Sequence, residues 1–150
     1  MNVGRLRSAL VVIAVVISGC SLGATLERLR EEPMLGTPPE ARELLRTEIA
    51  GTKFGFGTSA RVEIVWGMVD VDEVTGWYLQ EHGDRYGLNR QAHSMHWLGE
   101  RAVGDMTVTT SVQVLSGIAD LQWESMIGAE EDVGAWDGPV LAVRVSSTGP

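Results

Sequence analysis

The chain is 150 residues long and carries 20 acidic against 12 basic side chains, a formal charge of −8. That imbalance repels nucleic-acid phosphates and anionic headgroups, so direct nucleic-acid binding is disfavoured while basic or cationic partners stay open. The single cysteine, Cys20, rules out an intramolecular disulfide framework.

The chain opens on MNVGRLR, which places Arg5 and Arg7 ahead of an uncharged apolar run at residues 9–17, ALVVIAVVI. A basic start and a short apolar stretch form the layout of an export signal. A spanning helix needs about 20 apolar residues, and this run stops short of that at Ser18, Gly19 and Cys20. The tetrad Ile17-Ser18-Gly19-Cys20 resembles the lipobox of bacterial lipoproteins, in which an aliphatic residue and two small ones precede the cysteine. The resemblance covers residues 1–20. It implies that the Cys20 thiol takes a diacylglyceryl group and that a peptidase then cuts before Cys20. Acyl chains such as palmitate would hold the mature chain to the extracytoplasmic face of a membrane. One chain anchors only marginally at about 0.8 kcal/mol per buried methylene, so two or three are needed for stable attachment. Ser21 gives no retention signal of the aspartate kind, so the outer membrane of a two-membrane cell is allowed.

Loss of residues 1–19 removes Arg5 and Arg7 but no acid, leaving 10 basic and 20 acidic side chains and a formal charge of −10. The expected organisation is a signal peptide at 1–19, a lipidated cysteine and tether at 20–36, and one small domain at 37–150. The tether is polar, has room for a short helix at 26–32, and would reach at most about 55 Å when extended.

In the domain, Thr37-Pro38-Pro39-Glu40 matches a capping box and predicts a helix over residues 38–50, with Ala41, Leu44, Leu45 and Ile49 as its apolar stripe. Val62, Ile64, Trp66 and Met68 alternate along a strand within 61–71. A second strand alternates from Met106 to Val114 and leaves a wet outer face. Residues 74–82 read as a strand in preference to a helix, and 89–102 as a helix capped by Asn89. Ser116-Gly117 reads as a hairpin turn into a strand over 118–126. A glycine-bounded acidic loop at 128–138 then leads to a last strand at 140–146. Together these give an α+β fold, an antiparallel sheet of four to five strands packed by one or two helices.

Candidate chemistry is sparse. On a helix over 89–102, His93, His96 and Glu100 would share one face at a spacing able to converge on zinc, with His82 as a further ligand. The pattern is not His-Glu-x-x-His and lacks that motif's general base. Asp70, Asp72 and Glu73 start like a calcium loop, but Val74 and Thr75 stand where the loop needs an acid or amide and a glycine. Glu130, Glu131 and Asp132, with Trp136 close by, form a candidate partner surface that could also hold calcium loosely. Trp66 and Trp123 take inward positions and read as core. There is no Gly-x-Ser-x-Gly elbow, and Gly55 and Gly57 lack the third glycine of a dinucleotide fingerprint.

The resulting expectation is a lipid-tethered, non-enzymatic binding module with no required cofactor, held to the membrane by its acyl chains. Its acidic loop and exposed face would meet an envelope protein or polymer. Two alternatives remain: a small metal-dependent or carboxylate-based hydrolase of an envelope polymer, and a domain that binds or senses a small ligand between sheet and helix.

Overall fold

The computed structural model describes residues 12–15, 20–50, 59–123 and 136–148. Seven strands are described: β1 (Val12–Val15), β2 (Ala41–Ile49), β3 (Arg61–Met68), β4 (Asn89–Arg90), β5 (His96–Val103), β6 (Met106–Leu115) and β7 (Val140–Thr148). They join in one sheet of order β1-β2-β3-β7-β6-β5-β4. The strands from β2 to β4 pair antiparallel throughout, and β1 adds in parallel to the outer edge of β2. Helices α1 (Cys20–Arg30) and α2 (Val71–Tyr86) complete an α+β fold, as expected, with a wider sheet than the sequence suggests.

Alternation decides which face the helices cover. Ile64 and Trp66 of β3, Val108 and Val112 of β6, and Leu141 and Val143 of β7 all point to one side. There they close against Leu26 and Leu29 of α1 and Val74, Tyr78 and Tyr86 of α2. Fully burying each such side chain contributes about 1.5–3 kcal/mol. A smaller cluster on the opposite face joins Leu45, Val65, Val140, Ala142 and Trp123. The strands expected at 61–71, 106–114 and 140–146 are β3, β6 and β7, and Trp66 and Trp123 are core residues.

Four local expectations are corrected. The segment 38–50 is not a helix but β2, entered through Glu40 at a φ of 54°. A bulge between Glu43 and Leu45 shifts the register, and both Leu44 and Leu45 pack on the opposite-face cluster. One extra residue in a period-2 pattern yields apolar spacings of three and four, which imitate a helix. Residues 74–82 belong to α2, not to a strand. Asp70 caps the helix by accepting from the Glu73 amide at 2.9 Å, and Gly87 closes it in the left-handed conformation.

Residues 89–102 are not a helix but β4, a turn and β5. The alternation of β5 was masked by Arg101, a charged residue on the buried side. It is held there by two 3.0 Å contacts to Glu32, itself 4 % exposed and bonded by the Tyr86 hydroxyl at 2.5 Å. The segment after β6 makes a 3-10 turn at Ile118–Asp120 in place of a hairpin strand, with the Ser116 hydroxyl bonded to Asp120 at 2.7 Å. Expectations for residues 124–135 lie outside the described residues.

The expected tether also differs. Leu29 and Met34 are fully buried, Leu26 and Leu35 nearly so, so the chain is already part of the core from Leu26, eleven positions before residue 37.

Candidate functional site

The face of the sheet turned away from the helices is half covered. Strand registers place His96, Leu98 and Glu100 of β5, Thr109, Ser111 and Gln113 of β6, Arg144 and Ser146 of β7, and Arg61 and Glu63 of β3 on this side. Most of these side chains are half-buried, and Leu98 and Glu100 are exposed.

At the centre, Glu63 is fully buried and receives Arg144 at 2.6 and 2.7 Å and Arg61 at 3.2 Å. Among the described residues, two guanidinium groups thus face this one carboxylate. The Arg144 guanidinium lies 4.3 Å from the Trp123 ring centroid, so the aromatic face holds it in place and shields it from water. Beside this triad the hydroxyls of Thr109 and Ser146 meet at 2.8 Å. One strand further out, His96 Nε2 lies 2.9 Å from the Ser111 hydroxyl and 3.4 Å from the Gln113 amide nitrogen. Burial lowers the His96 pKa, which favours the neutral ring.

A serine hydroxyl bonded to a neutral imidazole is the first half of a nucleophile and its base. The remainder is missing among the described residues. No carboxylate reaches the other ring nitrogen, and the strand amides around Ser111 are committed to the β5 and β7 ladders, so they cannot form an oxyanion hole. The arrangement suits hydrogen-bonded recognition more than acyl transfer.

The three residues considered for zinc are not brought together. His93 sits in the turn before β5, exposed at a φ of 59°. His96 and Glu100 share a face of β5 but stand four extended residues apart, about 13 Å. His82 is on α2, beneath the other face of the sheet, in edge contact with Trp77 and tilted against Tyr78. Among the described residues no group of histidine, cysteine and carboxylate ligands is spaced to hold a metal ion. Asp70, Asp72 and Glu73 are the cap and first turn of α2.

Of the expected partner surface, Glu130, Glu131 and Asp132 lie outside the described residues. Trp136 is half-buried and its ring covers Gly67 and Gly138, close enough that a Cβ on Gly67 would stand 2.7 Å from it. Its indole nitrogen donates to the Pro139 carbonyl at 3.2 Å. The ring face is therefore spent on the sheet.

A cleft of about 540 Å³ opens at the end of α2, lined by Leu79, Gly83, Asp84, Leu88, Arg90 and Trp97 among others. Its size falls in the range of small-ligand sites. Trp97, its one large aromatic, is only 6 % exposed with Arg90 against its ring, so little aromatic surface is offered there.

Sequence reasoning anticipated a wet face on β6 but missed the Arg61–Glu63–Arg144 triad. The signal was available in part: Arg61 and Glu63 alternate with the apolar positions of β3, and Arg144 interrupts the apolar run at residues 140–145. Comparison of the chain with protein-family models, with curated proteins and with solved structures gives no match to any of them.

Proposed function

We propose that this chain is an exported lipoprotein, cleaved before and acylated on Cys20, whose open sheet face binds a polar component of the cell envelope. Residues 1–20 support the anchor: a basic start, an apolar run too short to span, and Ile17-Ser18-Gly19 before a lone cysteine. The observation that carries the binding role is the division of the sheet into a face sealed by the helices and a half-covered one, called the open face, whose β5–β6 side stays exposed. The open one presents a continuous set of hydroxyl, amide, imidazole and guanidinium groups around buried Glu63. Groups of this kind, half-buried and held in register by strands, recognise a polar partner without needing to rearrange.

Cleavage removes β1 and makes β2 an edge strand. Its bulge and its charged Arg42, Arg46 and Glu48 discourage further strand pairing, which leaves the open face in preference to the sheet edge as the binding surface.

The test is photo-crosslinking in cells from a reactive residue placed at Leu98, exposed beside Ser111 on the open face, and in parallel at Glu81, exposed on α2. A discrete envelope adduct is expected from position 98 and none from 81, and it should disappear with Ser111→Lys. Equal adducts from both positions, or none from 98, would remove the open face from consideration.

A further inference from the structure

The lipoprotein reading makes Cys20 the first residue of the mature chain, and α1 begins at that same residue. We infer that the domain has no tether: α1 is a mount that seats it directly on the bilayer, so that the partner of the open face lies at the membrane surface. The inference rests on the lipoprotein reading and adds to it the height and reach of the domain.

The helix is fastened to two distant parts of the sheet. Leu26 and Leu29 pack into the core beside β3 and β7. Arg28 reaches Asp105 in the turn between β5 and β6 at 3.1 Å, while Arg30 reaches Glu48 of β2 at 2.7 and 2.9 Å and also meets Glu27. Immediately after α1, Glu32 is locked to Arg101 and Tyr86, and Met34 and Leu35 are buried. A swinging linker here would have to strip the Glu32 carboxylate of its partners and expose four apolar side chains.

The geometry then sets the reach. Six helical residues separate Cys20 from Leu26, about 9 Å at 1.5 Å per residue. An extended tether over 20–36 would allow about 55 Å. A domain of this size is roughly 35 Å across, so a mounted domain presents every part of its surface within about 45 Å of the headgroups, against about 90 Å on an extended tether. Components of a membrane or its headgroup layer are then within reach of the open face, and structures farther away are not.

The experiment uses the full chain, acylated in a bacterial host and reconstituted into vesicles. Acylation of Cys20 leaves an introduced Ala102→Cys as the only free thiol; Ala102 is exposed on β5, three residues from Asp105, and so within roughly 35 Å of Cys20 through α1 and Arg28. A donor dye on position 102 and acceptor dyes on the headgroups, with a half-transfer distance between the two heights, report the seat. Efficient transfer is expected. It should fall at least about twofold when roughly 16 Gly/Ser residues are inserted after Ser21, which adds a coil of about 22 Å. Acylated protein whose transfer is already as low as that of the insertion variant overturns the mount and leaves the anchor intact. An N-terminal peptide without lipid on Cys20 overturns the anchor, and the mount with it.

Discussion

His82 shows how far one residue's setting can depart from its sequence. Next to His93 and His96 it reads as a candidate ligand, yet it is 6 % exposed on α2 among Trp77, Tyr78 and Tyr86, with neither ring nitrogen bonded among the described residues. Burial is the main cause that lowers its pKa. Arg85 acts in the same direction and Glu81 against it. The folded chain therefore resists a proton that the unfolded chain accepts near pH 6.5. The corresponding stability is complete above that pH and is lost as pH falls from 6.5 toward the lower folded value. His96 shifts the same way, also through burial, and contributes a second share. Replacing His82 with Phe should flatten the fall of urea-unfolding stability between about pH 7.5 and 5 without abolishing it. An unchanged slope would mean that His82 does not titrate on unfolding. Trp66 was legible as core because it continues the Val62, Ile64, Met68 alternation of β3, and Trp123 because it stands between Gln122 and Glu124. Trp136 was not, since nothing local announces that its ring will lie on Gly67.

Elements were misread where a local pattern had two solutions. In β2 the bulge puts Leu44 and Leu45 side by side, and the pairing of eight residues with β3 prevails over a Pro-rich start that favours a helix. In α2, Val74, Tyr78, His82 and Tyr86 recur every fourth residue between an aspartate cap and a glycine stop. The helix was legible from those signs, and the two glycines within it obscured them. One of these, Gly76, has nothing within 4 Å of a Cβ. Gly76→Ala should raise stability by about 0.5–1 kcal/mol, since a helix-interior glycine costs backbone entropy and gains nothing here. Gly99 of β5 is the opposite case. A Cβ there would stand 2.2 Å from the Tyr86 carbonyl and 2.9 Å from Leu88, where the end of α2 rests on the strand. Gly99→Ala should cost about 2–4 kcal/mol, because a backbone carbonyl has to move. Denaturant melts of the two variants should shift in opposite directions. Equal shifts would contradict this docking of α2 on β5.

At the scale of the whole molecule, the proposed export signal was legible because its pattern is contiguous and compositional. The sheet order was not, because its last strand, β7, enters between β3 and β6, and no local pattern encodes that insertion. The same holds for the open face, whose central carboxylate on β3 meets an arginine 81 positions later. The pieces combine into one arrangement: a helix that begins at the proposed anchor, a sheet sealed by that helix and α2 on one side, and a polar face on the other. The charge of −10 over residues 20–150 adds no attraction for anionic headgroups, so the proposed membrane attachment would depend on the lipid. Mass spectrometry of the N-terminal peptide from membrane-extracted protein tests this directly. The account predicts a peptide that starts at Cys20 with a diacylglyceryl group on its sulfur, and a Cys20→Ser chain that is neither acylated nor cut there. An unmodified Cys20, or a mature chain that starts at any other residue, would contradict it.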